Sequence, residues 1–302
     1  MLEERNNLKA WLYLLPAIIL LSVFTFYPII NAFILVFLEN YRYIDGSYTG
    51  WTLTGNISIV INSGLFWRAI RNTLFIVFVS VPISVIISLF IAVWLNSIKK
   101  FQGAYQTIFF LPYVTNAIAI GLAFAVIFAS TGGLFNYFLE SIGLSPRVWV
   151  ATGASWGRAM FALLVFITWS GLAFKIMVFL SGLQSIDKQY YDAARIDSAS
   201  RRRVFLKITV PLLSPMIAFI TITSFIGAFK EYTAIVGMFG ENLNPGVGRD
   251  MLITIVGVVY KSLGETYPGA TSEAAAAAII LFFMTLLLTL FNMWVSKRRV
   301  HY

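Results

Sequence analysis

Gly182-Leu-Gln-Ser-Ile-Asp-Lys-Gln-Tyr-Tyr-Asp-Ala-Ala-Arg-Ile-Asp-Ser-Ala-Ser-Arg-Arg-Arg-Val-Phe-Leu-Lys-Ile-Thr-Val-Pro211 is a polar stretch set between two long apolar runs. It is too polar to cross a bilayer. The runs beside it, and four more like them, have about the 20 residues a helix needs to span the hydrocarbon core. Local chemistry predicts two short helices meeting at an angle within the polar stretch. Ser185 is placed to N-cap the first, with Asp187 in its first turn. Ser198 interrupts the run, and Ser200 can cap the second helix. Arg201, Arg202 and Arg203 then fill a first helical turn, where the dipole disfavours positive charge by roughly 0.3–1 kcal/mol each. Compensation must come from outside the helix, either from lipid phosphates or from an acidic patch on a partner. Ala193, Ala194 and Ala199 carry little bulk, so a partner's surface can approach closely.

Working outward, the 302 residues are 59% hydrophobic and only 12% charged. A soluble domain carries roughly 25% charged residues, so most of this chain cannot face water. The reading is an all-α polytopic membrane protein, one transmembrane domain over 1–302 with six spans. They are predicted at 11–38, 70–95, 105–129, 159–182, 209–236 and 274–295, with the polar loop at 183–208 between the fourth and fifth. The first run is too long for a signal-peptide core and has no small-residue cleavage site, so it reads as a retained span.

Alternate connections hold Arg5, Lys9, Lys99, Lys100, Lys188, Arg195, Arg201, Arg202, Arg203, Lys207, Lys297, Arg298 and Arg299, more than half of the 22 Lys and Arg. The opposite connections dilute their few cations among Glu39, Asp45, Glu140, Glu241, Asp250, Glu265 and Glu273. Both termini and the polar loop are therefore expected in the cytoplasm. The net charge of +9 is explained by this asymmetry and gives no reason to expect nucleic acid.

Pro16, Pro28, Pro82, Pro112 and Pro215 fall inside predicted spans and are expected to kink them. Kinked helices can surround a cavity, although proline is common in membrane helices generally. Met251–Ser262 is apolar but short of a full span, which suggests a re-entrant or surface helix, or a helix packed under an outer partner. Glu273 and Ala274–Ala278 open the last span with small residues that permit close packing.

Catalytic chemistry finds little purchase. There is no cysteine, the one histidine is His301, and no G-x-x-x-x-G-K-[ST] phosphate loop occurs. Disulfides, thiolate nucleophiles and Cys-type zinc sites are excluded, and no catalytic or metal-ligating residue is nominated. Any ATP hydrolysis must take place on another chain.

Asp192-Ala193-Ala194, Ile196-Asp197, Ala199 and Val210-Pro211-Leu212 resemble the EAA signature of bacterial ABC-importer permeases. Tyr13-Leu-Leu-Pro16 with Phe26-Tyr-Pro28 is similar to the first span of the MalF-like carbohydrate permeases. Phe66-Trp-Arg-Ala-Ile-Arg-Asn-Thr73, Phe109-Phe-Leu-Pro112, and Trp169-Ser-Gly-Leu172 through Phe179-Leu-Ser-Gly-Leu-Gln184 resemble later segments of the same group. Asp192 stands where the family has Glu, and Ser198 where it has Gly. Serine at a corner that wants positive φ costs on the order of 1 kcal/mol.

The resemblance implies a subunit of the bacterial cytoplasmic membrane that pairs with a second MalF- or MalG-like permease. Two ATPase subunits, which carry ATP and Mg, and an extracytoplasmic solute-binding protein complete the assembly; this chain binds no cofactor itself. It implies ATPase-coupling roles for Asp187, Tyr191, Asp192, Ala193, Ala194, Asp197, Ser198, Ala199 and Arg201. It implies transport of a carbohydrate, an oligosaccharide above all, by ATP-driven alternating access; a glycerol phosphate or uronate is the alternative cargo.

Polar and aromatic residues within spans are costly and usually functional, so Asn116, Trp169, Lys230, Glu231 and Tyr232 are the candidate substrate path. Lys175 lies roughly 10 Å from the cytoplasmic end of its span at 1.5 Å per residue, and snorkelling to the inner headgroups is the expectation there. An ion-coupled secondary transporter would need internal repeats or membrane carboxylates, and Glu231 is the one acid placed within a span. A lipid-modifying enzyme would need a cluster of His, Asp or Glu at one interface.

Overall fold

A computed structural model of the chain describes residues 7–98, 100–240 and 250–299. Arg5, Lys99, Glu241 and His301 lie outside the described residues. Helices make up nearly all of the regular structure. In chain order they are α1 (Asn7–Leu21), α2 (Tyr27–Leu35), α3 (Gly55–Asn62), α4 (Gly64–Ser97), α5 (Gln102–Val114), α6 (Ala117–Ile127), α7 (Leu134–Ser141) and α8 (Trp156–Ser170). There follow α9 (Leu172–Gln184), α10 (Lys188–Ile196), α11 (Arg201–Val204), α12 (Val210–Leu212), α13 (Ser214–Phe229), α14 (Thr233–Phe239), α15 (Ile255–Leu263) and α16 (Ala270–Arg299). A two-stranded antiparallel ribbon, β1 (Leu38–Glu39) with β2 (Gly50–Trp51), is the departure from all-α character.

Among the described residues, four helical stretches are long and apolar enough to cross a membrane: Lys9–Leu35, Gly64–Ser97, Trp156–Gln184 and Ala270–Lys297. Two bent pairs raise the number to as many as six: α5 with α6, bent by 100°, and Arg201–Leu212 with α13, bent by 67°. The Lys9–Leu35 stretch buries none of its apolar side chains within the chain, which suits hydrocarbon surroundings and not water.

Prolines explain much of the irregularity. α1 and α2 are joined by a π turn over Ser22–Phe26, and α11 and α12 by another over Phe205–Thr209. Each contains the carbonyl four residues before a proline, Phe24 before Pro28 and Lys207 before Pro211. The ring crowds that carbonyl and supplies no N–H for it, so the helix widens locally. Pro215 behaves differently from expectation. It sits in the first turn of α13, where its missing N–H costs nothing, and the bend falls at Leu213 before it.

Three predicted spans need correction. The first ends at Leu35 and not at 38, because Leu38 pairs with Trp51 in the ribbon. The third is broken at Thr115–Asn116, where Thr115 is extended and the Asn116 side chain starts a new helix. The fifth is bent at Leu213 and stops at Phe229; α14 is a separate helix.

The chain divides into two units. The first is Met1–Phe66 with Val258–Ile280. Within it buried Asn56 donates from Nδ2 to the Val36 and Leu38 carbonyls, both at 2.9 Å, and the Ser272 hydroxyl donates to Leu38 O at 2.8 Å. These bonds satisfy the backbone where the first span gives way to the ribbon.

The second unit is Trp67–Gly257 with Leu281–Tyr302. At its centre Asn72 and Thr73 of α4 are fully buried. Asn72 Nδ2 donates to the carbonyls of Met251 (3.0 Å) and Ile253 (2.9 Å), and its Oδ1 accepts from Trp156 Nε1 at 2.9 Å. Thr73 Oγ1 accepts the Ile255 N–H at 3.1 Å, and the Thr254 hydroxyl donates to Glu231 O at 2.9 Å. The segment running into α15 is therefore pinned to α4 and to the Glu231 carbonyl, with Trp156 of α8 holding Asn72 in place. α14 meets α6 backbone to backbone. A Cβ built on Gly121 would lie 2.7 Å from the Gly237 carbonyl carbon, so only glycine permits this crossing.

Candidate functional site

The polar elbow is rooted in the helix that precedes it. α9 runs on through Gln184, and the Ser185 hydroxyl donates back to Gly182 O at 2.9 Å, closing that helix. The expectation that Ser185 caps the next helix is corrected. Asp187 does so, its Oδ1 accepting the Gln189 N–H at 2.9 Å at the start of α10. The far end of α10 closes with two bonds, Ala199 N–H to Ala194 O (2.9 Å) and Ser198 N–H to Arg195 O (3.0 Å). Together they form the Schellman arrangement, which places its C′ residue in the left-handed region. Ser198 holds that place at φ 52°, a corner whose backbone favours glycine.

Ser200 then caps α11, its Oγ accepting the Arg203 N–H at 3.4 Å. Arg201, Arg202 and Arg203 fill the first turn as the spacing predicts, exposed and unpaired with any carboxylate among the described residues. Asp192 pairs with Arg195 at 3.3 Å on the surface of α10, a contact worth a few tenths of a kcal/mol at most. The Tyr191 hydroxyl lies 3.4 Å from Thr209 Oγ1, tying α10 to the π turn that leads into α12.

These two short elements face each other across a groove of about 810 Å³. Asp187, Ala193, Ala194 and Asp197 line it from the first element, and Arg203 and Lys207 from the second, with Ala199 at the corner. Seven of the nine nominated elbow residues are thus either lining the groove or, for Tyr191 and Ser198, fixing its shape. Asp192 and Arg201 are exposed beside it. Ile196 is 85% exposed next to Asp197, an apolar knob that water does not favour. Below the elbow a core of Ala92 and Leu95, Phe179 and Leu183, and Leu213 and Ile220 joins α4, α9 and α13.

A second cleft, of about 390 Å³, lies between α4, α5, α8, α9 and α13. Ser80, Ser84, Tyr113, Lys175, Thr223 and Glu231 give it its polar character. Tyr113 stacks on Phe174 with centroids 5.7 Å apart. Lys175 does not extend toward Gln184 as expected. Its Nζ donates to Gly171 O at 2.8 Å, because helical side chains lean toward the N-terminus and that carbonyl is freed where α8 passes to α9.

Of the five nominated path residues, Glu231 alone lines this cleft. Its Oε1 accepts the Ala234 N–H at 2.9 Å and so also starts α14. Asn116 Oδ1 accepts from the Ile118 and Ala119 N–H groups, capping α6. Trp169 packs against Phe124 at 5.3 Å. Lys230 is exposed at the end of α13, and Tyr232 precedes α14. Ser80, Ser84 and Tyr113 went unnominated in the sequence. The signal for the first two was present: Ser80, Ser84 and Ser88 repeat every four residues along the otherwise apolar 74–95 stretch of α4, and all three are buried.

Residues 46–301 match the profile of the family described as binding-protein-dependent transport system inner membrane component. The chain belongs to that family. The matched region takes in every residue named above for the elbow and the cleft. This permease is 30% identical over 302 residues to the lactose transport system permease protein LacF of Rhizobium radiobacter, covering 99% of this chain and 97% of that one. It is 33% identical to the arabinooligosaccharides transport system permease protein AraP of Halalkalibacterium halodurans, over 85% of this chain and 78% of the relative. It is also 29% identical to the trehalose/maltose transport system permease protein MalF of Thermococcus litoralis, over 87% of each. In three dimensions the permease matches a bacterial ABC transporter involved in the import of the acidic polysaccharide alginate, with a TM-score of 0.78, 21% identity and 98% coverage of both chains. That likeness establishes the fold. The family is one of transport permeases and not of enzymes, and its members are multi-pass proteins of the inner membrane.

Proposed function

We propose that this permease forms half of the translocation path of an ATP-driven importer for a carbohydrate, an oligosaccharide above all. In this reading it crosses the bacterial cytoplasmic membrane six times with both termini inside, each bent pair counting as one span. A second permease encloses the path with it, two ATPase subunits bind ATP and Mg below, and a solute-binding protein delivers cargo from outside. The chain performs no covalent chemistry. Its work is alternating access, in which a docked element shifts the balance between inward- and outward-open forms.

The carbohydrate reading is carried by the 30% identity to a lactose permease that runs across 99% of this chain. The groove of the elbow supports the coupling role. Alanines along its floor admit a partner's side chains, carboxylates and cations stand on its opposite walls, and Ile196 projects beside it. Asp187, Tyr191, Asp192, Ala193, Ala194, Asp197, Ser198, Ala199 and Arg201 are the residues assigned to ATPase docking. For cargo, the cleft at Lys175 and Glu231 offers hydrogen-bonding groups beside the Tyr113–Phe174 stack, a combination that suits a sugar ring.

The test is reconstitution of the permease with its partners in liposomes and measurement of ATP-dependent uptake across a panel of radiolabelled sugars. One or more sugars should accumulate. Asp192→Lys should leave the protein inserted but separate ATP hydrolysis from uptake. Uptake of amino acids or ions in place of any sugar would refute the cargo assignment, and normal coupling in the Asp192→Lys variant would refute the docking role.

A further inference from the structure

The unit of Met1–Phe66 with Val258–Ile280 contains a cleft of its own, of about 560 Å³, remote in sequence from the elbow and the membrane cleft. Tyr41, Arg42, Tyr43 and Asp45, from the β1–β2 connection, form one wall, and Glu265 and Tyr267, from the approach to α16, form the other. This volume lies inside the 300–1,000 Å³ range of small-ligand sites.

The walls are fixed before any ligand arrives. Arg42 N–H donates to Ser47 O and Gly46 N–H to Arg42 O, both at 2.9 Å. Asp45 Oδ1 accepts from the Ser47 hydroxyl (2.7 Å) and N–H (3.0 Å), bonds that hold its carboxyl below the usual range and keep it ionised. The two walls are laced together by Gly269 N–H donating to Tyr41 O at 3.1 Å. Gly269 sits at φ +96°, which a side chain would strain. Tyr267 donates its hydroxyl to Glu273 Oε2 at 2.6 Å, and desolvation and that bond raise its phenol above the ordinary range.

The chemistry on offer is specific. Tyrosine faces pack against the C–H faces of pyranose rings, and Tyr43 is 82% exposed over the cleft. Arg42, Asp45, Glu265 and Thr266 supply donors and acceptors for ring hydroxyls. One cation stands against two carboxylates, so the local charge is negative and an anionic sugar is repelled.

We propose that this cleft is a carbohydrate subsite outside the membrane, which takes neutral glycosyl units of an oligosaccharide and rejects acidic ones. Its place on the outer side rests on the orientation proposed above, and its preference is the opposite of that implied by the acidic polysaccharide handled by the structural neighbour.

The test uses the intact permease in lipid nanodiscs with saturation-transfer NMR. The probes are maltotriose, cellotriose, xylotriose and raffinose as neutral trisaccharides, and trigalacturonate as the acidic one. At least one neutral probe should give a signal that trigalacturonate does not. Tyr43→Ala should weaken that neutral signal about tenfold, the loss of one aromatic contact. Tyr43 is exposed, so the fold should survive, and size-exclusion elution checks that it does. Glu265→Gln should raise the response to trigalacturonate. Silence from every neutral probe, equal saturation by trigalacturonate, or a neutral signal undiminished in Tyr43→Ala would each overturn the proposal. A permease that imports sugar with its partners but shows one of those results loses this subsite alone. One that binds neutral probes here but cannot couple to an ATPase refutes the transport reading and leaves the subsite standing.

Discussion

Replacing Gly121 with alanine would put a methyl carbon 2.7 Å from the Gly237 carbonyl carbon and 2.8 Å from its Cα. Carbon atoms in ordinary contact stay roughly 3.5–4.0 Å apart. The atoms in the way are backbone, so no side-chain rotation relieves the overlap and α6 must move off α14 by about 1 Å. Overpacking of this kind costs about 1–3 kcal/mol. For a chain of this size that corresponds to a fall in Tm of roughly 2–10 °C. The assay is thermal unfolding of the detergent-solubilised protein followed by size-exclusion chromatography, with Gly227→Ala as control. Gly227 lies on α13 with nothing within 4 Å of a built Cβ, and its replacement should leave Tm within about 1 °C. Gly237→Ala should fall between the two, since its Cβ would meet Ile118 Cα at 3.0 Å. If Gly121→Ala melts with the wild type, or if Gly227→Ala is as damaging, the backbone-to-backbone crossing is not what holds these helices together.

Three other outcomes follow from the geometry. Asn72→Leu abolishes three hydrogen bonds and strands the Met251 and Ile253 carbonyls, and should cost about 2–4 kcal/mol, read as a lowered Tm and faster proteolysis near Met251. Ser198→Gly relieves the left-handed strain at the elbow corner and should stabilise the chain by about 0.5–1 kcal/mol in chemical denaturation, with ATPase coupling retained. Asp187→Ala removes the N-cap of α10 and should cost about 1 kcal/mol locally, seen as faster hydrogen exchange at Gln189 and Tyr190 with unchanged exchange in α13.

The long apolar helices were legible because charge is so costly in hydrocarbon that membrane-crossing helices are written as long uncharged runs. The elbow was legible for a related reason: Ser198 and Ser200 carry local capping signals that need no distant partner. Where two local signals competed, the sequence could not rank them. Ser185 and Asp187 are both N-cap residues, and the decision lay in how far α9 extends. The break at Lys230–Tyr232 was hidden because the residues on both sides are apolar, and it depends on Gly237 finding Gly121 more than a hundred positions away. The membrane cleft was hidden likewise. Asn116 and Trp169 have the right chemistry for a sugar, but the fold turns one into a helix cap and the other into packing, while Ser80, Ser84 and Tyr113 face the opening.

Asn72 has a further consequence, for the way the protein is made. Its amide reaches partners 179 and 181 residues further along the chain. During synthesis it enters the membrane long before Met251 and Ile253 have left the ribosome, and until they arrive it must be hydrated or shielded by the insertion machinery. A chain that stops ahead of Met251 therefore keeps the Trp156 bond to Asn72 Oδ1 but leaves the Asn72 Nδ2 group without the two carbonyls it serves in the finished protein.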